Sequence, residues 1–238
     1  MRERPRSGPD GRPRGPELLG GGVTLEAITV TGDVPRRITL VMLSGGIDSV
    51  WTLYRLLKDT DDEIFAHHIH FVNEEGRHEA EAAAARAVAG WLRKHVRAFH
   101  YSETGIDHRN MRWFGFDIMG VGFEAGICAR SLLLARKRPM DRWTIGTCAE
   151  EGHDAERFVH VEAVMAANCY PDPAPPFFLL PPVPKAQEVA ELGPDLAALC
   201  WTCRRPKRKP EGGFAECGKC KTCKLMAEIR SAGAPAGG

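Results

Sequence analysis

The feature that most constrains the fold is an apolar run at residues 38–43 (ITLVML), which breaks into Ser-Gly-Gly and then resumes with helical spacing. A continuous apolar run of this length is typical of a strand buried on both faces, as in a parallel sheet. From Val50 to Leu57 the apolar residues follow the i, i+3, i+4, i+7 spacing of an amphipathic helix. The sequence therefore predicts a buried strand, a glycine-rich turn and a helix that packs on the sheet.

The rest of the chain alternates between strand patterns and helix patterns. Strands are predicted at residues 23–31, 63–71, 97–101 and 142–147. Helices are predicted at residues 77–96, 123–136 and 185–192, the last of them stopped by Gly193. Strands that alternate with helices indicate an α/β fold with a doubly wound parallel sheet and helices on both faces.

Composition divides the chain into four parts. Residues 1–22 are rich in Arg, Pro and Gly and are interpreted as a disordered leader. Residues 23–194 are expected to form the main domain, residues 195–230 a small metal-binding segment, and residues 231–238 a flexible tail.

Charge and hydropathy exclude several classes of protein. The formal net charge of +1 gives no general reason to bind nucleic acid or a membrane surface. No run of eighteen apolar residues is present, so no membrane association is expected. The N-terminus lacks the apolar core of a secretory signal, and a cytoplasmic location is expected. In that reducing compartment, clustered cysteines hold metal more often than they form disulfides.

The turn at residues 44–49 (SGGIDS) has the composition of a phosphate-binding loop. Backbone N–H groups of such a turn point outward, the helix dipole adds positive charge, and glycine lets phosphate oxygens approach the backbone. Ser44 and Ser49 add hydroxyl donors, while Asp48 can cap the helix or help to hold Mg²⁺. The lysine of a Walker A motif is absent, so this is not an ordinary P-loop. The alternative is a plain capped turn between strand and helix.

The C-terminal part of the chain contains a candidate metal site made of five closely spaced cysteines. Four thiolates satisfy the tetrahedral coordination of a structural Zn²⁺ ion, so one of the five is spare. Spacing alone leaves Cys200 and Cys203 as alternatives for the first ligand. The basic run at residues 204–209 lies inside this site, and it can contact RNA, DNA or a triphosphate, or form a solvated loop.

The remaining histidines and cysteines have simpler interpretations. His67, His68 and His70 alternate between the faces of a predicted strand, so His67 points away from the other two and a metal site there is not favoured. Cys128, Cys148 and Cys169 are scattered and are interpreted as small buried apolar residues.

SGGIDS resembles the signature loop of the N-type ATP pyrophosphatases, the PP-loop superfamily, which cleave ATP to AMP and pyrophosphate. Three further segments are similar to the 7-cyano-7-deazaguanine synthase (QueC) family. They are residues 70–81 (HFVNEEGRHEAE), residues 185–189 (KAQEV) and the cysteine tail with its Trp201-Thr202-Cys203. The resemblance implies an adenine nucleotide alpha hydrolase-like fold with a small C-terminal zinc-binding segment, and a homodimer. It also implies the zinc ligands Cys203, Cys217, Cys220 and Cys223, with Cys200 spare.

The reaction that this resemblance implies is an ATP-dependent ligation. With ATP and Mg²⁺, 7-carboxy-7-deazaguanine is adenylated, ammonia displaces AMP to give the amide, and a second activation gives the nitrile. Ser44, Asp48 and Lys185 are the implied catalytic residues, with Lys185 as a second phosphate contact. The strand ends after Leu43, Phe71 and Thr147 are expected to line the site. The implied nucleotide-binding residues are Leu43, Ser44, Gly45, Gly46, Ile47, Asp48, Ser49, Val50, Trp51, Thr52 and Leu53.

Departures from the family keep other functions open. Residues 70–76 (HFVNEEG) lack the family's aromatic-Gly-Gln before the histidine and form a shortened loop at residues 73–76. Residues 152–157 (GHDAER) stand where the family has a Tyr-Pro-Asp-Cys-Arg run, and Ala129-Arg130-Ser131 stands where it has Gly-Arg-Asn. One alternative is an adenylating enzyme with another acceptor, in DNA, protein or tRNA modification in phage or defence systems. The other is a zinc-stabilised nucleic-acid-binding module with a degenerate nucleotide loop. The intact Ser44, Asp48 and Ser49 argue against the second, and no nucleic-acid partner is expected.

Overall fold

Four parallel strands form the sheet at the centre of the protein, and helices cover both of its faces. The computed structural model describes residues 35–111, 116–151 and 155–233, so the predicted leader, the predicted strand at 23–31 and residues 234–238 lie outside the described residues. The strands of the sheet are β1 (Ile38–Met42), β2 (Glu63–Val72), β3 (His100–Asp107) and β4 (Arg142–Ile145). The helices are α1 (Ile47–Asp59), α2 (His78–His95), α3 (Asp117–Arg136), α4 (Ala155–Cys169), α5 (Lys185–Ala197) and α6 (Lys221–Gly233). A two-stranded antiparallel ribbon joins β5 (Lys207–Arg208) to β6 (Phe214–Ala215).

The prediction of an α/β fold with a parallel, doubly wound sheet is confirmed. The predicted bounds of the third strand are wrong, because β3 follows its partner β2 to Asp107, through the polar sequence of an edge strand with one exposed side. Helix α4 has no counterpart among the predicted elements. Its buried residues Val161, Met165 and Cys169 are four residues apart and mark the face that packs on the protein.

Two hydrophobic cores lie on opposite faces of the sheet, and β1 contributes to both. Val41 and Leu43 belong to the core formed with α1, α2 and α5, while Ile38, Leu40 and Met42 belong to the core formed with α3 and α4. Because alternate residues of a strand point to opposite faces, both sets must be apolar. This explains the continuous apolar run from which the fold was predicted.

The strand order, β3-β2-β1-β4, places the topological switch point between β1 and β4. The chain moves outward from β1 to β2 and β3, and then returns to the other side of β1 to form β4. In open α/β sheets, the loops that follow the strands on either side of such a point diverge and leave a crevice for ligands. In this protein those loops begin at Leu43 and at Gly146.

Helix α3 is apolar over much of its circumference. By length and composition it is long and apolar enough to cross a membrane, a criterion that the core helices of soluble proteins also meet. It packs against β1, β2 and α4. A Cβ atom at Gly122 would lie 2.6 Å from the carbonyl oxygen of Val161, and one at Gly126 would lie 2.7 Å from that of Met165. The two glycines therefore allow α3 and α4 to cross at close range.

Helix α5 is interrupted near its end. Gly193 has φ 73° and ψ 167°, which is not helical, and Pro194 begins a further helical turn that continues to Ala197. The predicted stop at Gly193 is thus a break between two helical pieces, because proline is well tolerated in a first turn and glycine accepts the positive φ.

A buried ion pair connects β1, β4 and the start of β2. Asp62 Oδ2 accepts hydrogen bonds from Thr39 Oγ1 at 2.5 Å and from Arg142 at 2.7 Å. The Asp62 side chain is 5% exposed and that of Arg142 is 20% exposed. Because one partner left alone would be a buried unpaired charge, this interaction is expensive to break.

We therefore expect Asp62→Ala to lower the free energy of unfolding by about 3–5 kcal/mol, measured by urea denaturation. The matched control is Asp59→Ala, whose partner Arg55 is 41% exposed and which is itself 48% exposed. An exposed pair of this kind contributes less than about 1 kcal/mol. Equal losses in the two variants would contradict the structural role assigned to Asp62.

Candidate active site and metal centre

The loop after β1 leaves the N-terminus of α1 open to an anion. Gly46 is the N-cap residue, and no side chain caps the helix there. The first backbone N–H groups of a helix have no partner within it, so they and the helix dipole favour a bound anion. Gly45 has φ 82°, and a Cβ at this position would lie 2.8 Å from the backbone oxygen of Glu81. The loop therefore rests against α2 in a conformation that requires glycine.

Ser44 and Ser49 hold the loop in shape. Their hydroxyl oxygens lie 2.9 Å apart, and the backbone N–H of Ser44 donates to Ser49 Oγ at 3.1 Å. The backbone N–H of Gly46 donates to Ser44 Oγ at 3.2 Å. Both serines line a pocket between the loop, the sheet and helices α3 and α4, which we call the principal pocket. Two hydroxyl groups therefore stand at the uncapped helix end, where phosphate oxygens would be received.

Lys185, the first residue of α5, forms an ion pair with Asp48 in the first turn of α1. Its Nζ atom lies 2.5 and 2.7 Å from the two carboxylate oxygens. Burial opposes the charge on Lys185, but the Asp48 carboxylate outweighs burial and raises the pKa of the lysine above its ordinary value. The structure thus brings together two predicted catalytic residues that are 137 positions apart in the chain.

Gly146 brings the end of β4 against the same loop. A Cβ atom there would overlap the backbone of Asp48 and Ser49 far inside contact distance. Only glycine permits this approach, because any side chain would displace α1 from the end of β4. The crevice at the switch point is therefore narrow and is bounded by backbone on both sides.

Further acidic side chains, Glu150 and Glu151, lie near the ion pair. Ligand atoms of Asp48, Cys148 and Glu151 lie within 4.8 Å of one another, an arrangement that could hold a metal ion. Glu150 accepts the backbone N–H of Lys185 at 3.0 and 3.1 Å and so caps α5 from a separate element. Cys148 is buried, as predicted, but its position beside Asp48 was not foreseen.

Glu188 lies one helical turn after Lys185 and is fully buried. Burial, together with the nearby Asp48 carboxylate, raises the pKa of Glu188 to about 10. At neutral pH it is therefore an uncharged acid next to a charged pair.

The principal pocket extends from the loop at residues 44–49, which we call the phosphate loop, along the face of the sheet that α3 and α4 cover. Leu43, Phe71 and Thr147 all line it, so the three strand ends meet as the parallel topology predicts. The other apolar residues of its wall are Met42, Ile69, Ile118, Val121, Ile145 and Phe158. Such walls, with phosphate-binding groups at one end, suit a flat aromatic ring attached to a charged group.

An ion network also lines the pocket, and its member Glu81 lies beside Gly45 of the loop. Arg77 interacts with Glu75 at 2.8 Å, with Glu81 at 3.1 Å and with Asp117, and Arg204 approaches Glu75 at 3.3 Å. Burial raises the pKa of Glu81 to about 7, although Arg77 opposes this shift. This network joins the N-terminal ends of α2 and α3 to the cysteine-rich segment.

The predicted nucleotide-binding run is divided between pocket and core. Leu43, Ser44 and Ser49 line the pocket, whereas Val50 and Leu53 are buried in the core between α1 and the sheet. Gly45, Gly46, Ile47 and Asp48 form the turn and the first helical residues, while Trp51 and Thr52 are buried farther along α1.

Two histidines of β2, His67 and His68, are held in place by hydrogen bonds, and His67 also lines the pocket. His67 hydrogen-bonds Ser102 at 2.8 Å and Thr104 at 2.9 Å, on the opposite side of the strand from His68, which bonds the backbone oxygen of Leu43. Burial lowers the pKa values of His67 and His68 to about 4, so both are neutral at physiological pH. Their orientation agrees with the alternation expected from sequence.

Four cysteines converge in the C-terminal segment. The Sγ atoms of Cys203, Cys217, Cys220 and Cys223 lie within 4.8 Å of one another, and those of Cys217 and Cys223 are 3.9 Å apart. A single tetrahedral ion with metal–sulfur bonds of about 2.3 Å places its sulfurs roughly 3.8 Å apart. The spacing therefore fits one metal ion. Cys200 is outside this group, and its thiol donates to the backbone oxygen of Leu196.

Backbone N–H groups support these sulfurs as thiolates. N–H groups of Lys219 and Cys220 donate to Cys217 Sγ and lower its pKa. Burial opposes the ionisation of Cys220, but the hydroxyl of Thr222 and nearby N–H groups lower the pKa to about 6. Burial raises the pKa values of Cys203 and Cys223. A metal ion bound here would have to displace the protons of these two thiols.

Residues 200–224, which we call the knuckle, contact the phosphate loop directly. The backbone N–H of Trp201 donates to the backbone oxygen of Gly45 at 2.9 Å. Arg208 of the ribbon pairs with Glu79 of α2. The segment that carries the candidate metal centre is therefore packed directly against the phosphate loop.

Sequence reasoning missed several of the groups around the site. Glu151 and Cys148 were not assigned to the site, although both closely follow a predicted strand. Glu188 lies within the segment KAQEV, but only Lys185 of that segment was given a role. Arg157 lies in a segment that was considered only as a counterpart of a family motif, and it lines the pocket. Carboxylates that follow a strand on either side of the switch point are the signal that could have found Glu151.

Comparison with known proteins gives only distant structural likeness. No protein-family model matches the chain, and no curated protein matches it significantly. The chain is similar to the U34-tRNA thiolase NcsA from Methanococcus maripaludis with its 4Fe-4S cluster, at a TM-score of 0.40 and 15% identity, over 83% of this chain and 65% of that one. It is also similar to a 4-thiouridine synthetase in complex with RNA and bound ATP, at a TM-score of 0.39 and 12% identity, over 82% of this chain and 50% of that one.

The chain thus spans between half and about two thirds of the length of these two proteins. At such identities and TM-scores the likeness is remote, and the activity of neither protein passes to this chain through it.

The pKa of Glu188 gives a prediction about stability and pH. An acid whose pKa rises from 4.5 to about 10 on folding makes the folded state bind the extra proton, so the contribution of Glu188 to the free energy of unfolding decreases as pH rises from 4.5 toward 10. We expect Glu188→Gln, which keeps the shape but removes the ionisation, to be more stable than wild type at pH 8. This advantage should vanish near pH 4.

The control is Glu191→Gln on the same helix. Donors on Gln187 and Trp51 lower the pKa of Glu191, so its stabilisation is present at pH 8 and is lost as pH falls. Thermal melts across pH should therefore move in opposite directions for the two variants. A Glu188→Gln protein that is less stable than wild type at pH 8 would contradict the uncharged state assigned to Glu188.

The cysteine geometry predicts one metal ion per chain and a clear difference between two variants. Cys203→Ser should lose the metal and unfold the knuckle, because binding energy at such sites is also folding energy. Cys200→Ser should keep the metal and melt close to wild type. Elemental analysis and thermal melts decide this, and metal lost in Cys200→Ser but kept in Cys203→Ser would reverse the assignment.

Proposed function

We propose that the chain is an ATP-dependent adenylating enzyme of the PP-loop type, which cleaves ATP to AMP and pyrophosphate. One observation carries this proposal: an uncapped helix N-terminus, two serine hydroxyls and a lysine from a distant helix meet at the switch-point crevice. Each of these groups binds phosphate oxygens in proteins. An ordinary strand–helix turn has no use for all of them together.

These groups contact different parts of the triphosphate. The N-terminus of α1 with Ser44 and Ser49 receives the two terminal phosphates, which leave as pyrophosphate. Lys185 Nζ lies 2.5 Å from Asp48 Oδ1, at the N-terminus of α1, and is positioned to turn toward the triphosphate. A fixed cation and fixed N–H groups stabilise the charge that develops on the leaving group.

Mg²⁺ is expected with ATP, and the residues around Asp48 fit it. The carboxylates of Asp48 and Glu151 are close enough to bind one cation, and oxygen ligands are those that Mg²⁺ prefers. The ammonium of Lys185 already lies against Asp48, which shows that this position favours positive charge. When bound, the ion would neutralise charge on the phosphate oxygens.

The acceptor that the sequence resemblance favours is 7-carboxy-7-deazaguanine. A carboxylate does not react with ammonia at neutral pH, because hydroxide is a poor leaving group. Transfer of AMP to the carboxylate releases pyrophosphate, and ammonia then displaces AMP and gives the amide with loss of a proton. A second adenylation, on the amide oxygen, lets AMP leave with that oxygen and gives the nitrile. The apolar walls of Ile69, Phe71 and Phe158 suit a flat ring.

A second candidate keeps the adenylation and changes the acceptor. Arg130, in the counterpart of the family's Gly-Arg-Asn element, pairs with Asp172 and does not line the principal pocket. Because Arg130 does not face the pocket, a different acceptor is favoured, such as a group on tRNA, DNA or a protein. The two candidates share the cleavage of ATP and differ only in what receives AMP.

We further propose that the knuckle holds zinc and that its role is structural. Four sulfurs at single-ion spacing leave no open position for a substrate. An iron–sulfur cluster also uses four cysteines, and its larger core would need the sulfurs farther apart. A homodimer is the assembly that the sequence resemblance favours, and the clustered cysteines suit a reducing cytoplasm.

The test measures pyrophosphate and AMP from ATP and Mg²⁺, with ammonia and 7-carboxy-7-deazaguanine, and identifies the product by mass spectrometry. We expect Ser44→Ala and Asp48→Asn to reduce pyrophosphate release at least 100-fold, since each removes a group that meets the phosphates. Asp59→Asn, an exposed acid at the far end of α1, should be unaffected.

The outcomes separate the two candidates. Pyrophosphate release with the deazaguanine acid supports the nitrile-forming ligase. Release only with another acceptor supports the second candidate. ADP in place of AMP, or normal cleavage by both variants, would overturn the assignment of an ATP pyrophosphatase.

A further inference from the structure

The knuckle carries most of the chain's excess positive charge. Residues 200–224 contain eight Lys and Arg and two Glu, a net charge of +6, whereas the whole chain has 32 basic and 31 acidic residues. The remaining residues therefore hold 24 basic and 29 acidic residues, a net charge of −5. Even a four-thiolate site with a divalent ion, of charge −2, leaves the knuckle at about +4.

Most of this charge has no acidic partner. Arg204 pairs with Glu75 and Asp117, and Arg208 pairs with Glu79. The other six basic side chains form no ion pair within the described residues and are exposed to solvent. They are Arg205, Lys207, Lys209, Lys219, Lys221 and Lys224.

The six unpaired basic residues lie close to the cysteine cluster or on the ribbon, so the backbone at these elements sets where their side chains begin. Lys219 and Lys221 flank the ligand Cys220, and Lys224 follows Cys223. Consecutive Cα atoms are about 3.8 Å apart, so these lysines start within one or two residues of the cysteine cluster. On the ribbon, Arg208 turns toward α2, so Lys207 beside it turns to the opposite, solvent side.

The character of the surface distinguishes between possible partners. Protein interfaces are built around an apolar or aromatic centre and are depleted in lysine. The exposed residues of the knuckle are basic residues, glycines, one proline and one glutamate, and they provide no such centre. Rows of lysine and arginine without acidic partners are instead typical of surfaces that contact a phosphate backbone.

Two partly exposed aromatic residues lie in the knuckle, Trp201 beside the phosphate loop and Phe214 beneath the guanidinium of Arg208 at 5.3 Å. Trp201 hydrogen-bonds the phosphate loop through Gly45, and its ring makes an edge contact with Phe214 at 6.3 Å. Exposed aromatic faces beside basic grooves stack unpaired bases, which only a single strand offers.

We propose that the knuckle binds the phosphate backbone of a single-stranded nucleic acid and leads one end of it to the crevice. This surface goes beyond the proposed ATP chemistry and does not depend on it. It also reverses the expectation from the overall charge, because an even total conceals a strongly uneven distribution.

The test is fluorescence anisotropy with a labelled 20-nucleotide RNA, without ATP, in the full chain with its metal. The variant is Lys207→Gln/Lys209→Gln/Lys221→Gln. The control is Lys58→Gln/Lys94→Gln/Lys137→Gln, which removes the same charge from exposed positions elsewhere. We expect the knuckle variant to bind at least tenfold more weakly, and the control to change less than twofold. The slope of log affinity against log salt should fall by about 2 in the knuckle variant, at roughly 0.7 per lost contact.

Metal content and melting temperature of both variants are measured alongside. Should the triple variant lose metal, Lys207→Gln/Lys209→Gln serves in its place, since neither residue adjoins a cysteine. Single-stranded DNA of the same sequence should also bind. Equal weakening by both triple variants, tighter binding of a duplex, or equal competition by polyglutamate at matched charge would each overturn the proposal. So would the absence of wild-type binding at 50 mM salt.

Discussion

The ion pair between Asp48 and Lys185 is the contact on which the candidate site depends. It joins the start of α1 to the start of α5, and both side chains are largely removed from water. Separating such a pair leaves two uncompensated charges, so the two helix ends stay together unless a ligand neutralises both. A polyphosphate with a divalent cation is a ligand of this kind, because it offers the lysine an anion and the aspartate a cation.

The remaining parts of the site are arranged around this pair. Gly146 brings the end of β4 to the backbone of the loop, Glu150 caps α5, and Trp201 holds the loop from the knuckle side. Glu188 adds an acid that remains uncharged, because burial and the neighbouring Asp48 carboxylate disfavour its ionised form. Three separate stretches of chain, at residues 146–150, 185–188 and 201, therefore surround a loop of six residues, which is the kind of preorganisation that catalysis requires.

Sequence alone predicted the local parts of this arrangement and missed the long-range ones. The apolar run of β1, the helix that follows and the four cysteines Cys203, Cys217, Cys220 and Cys223 are patterns contained within a few residues. By contrast, the bounds of β3 depend on its pairing with β2, and the environments of Glu188 and Cys148 depend on packing between distant elements. Local periodicity contains no information about such contacts. Asp48 and Lys185 were each predicted as site residues from separate motifs, but the ion pair between them was not predicted.

The glycines of α3 have a consequence for the size of the pocket. Ile118 and Val121 of α3, together with Phe158 of α4, form part of its wall, while Gly122 and Gly126 set the distance between the two helices from behind. A methyl group at either glycine would separate the helices without entering the pocket. Ligand selectivity in this fold can therefore change through residues that no ligand ever touches, and a search for specificity determinants confined to the lining would overlook them.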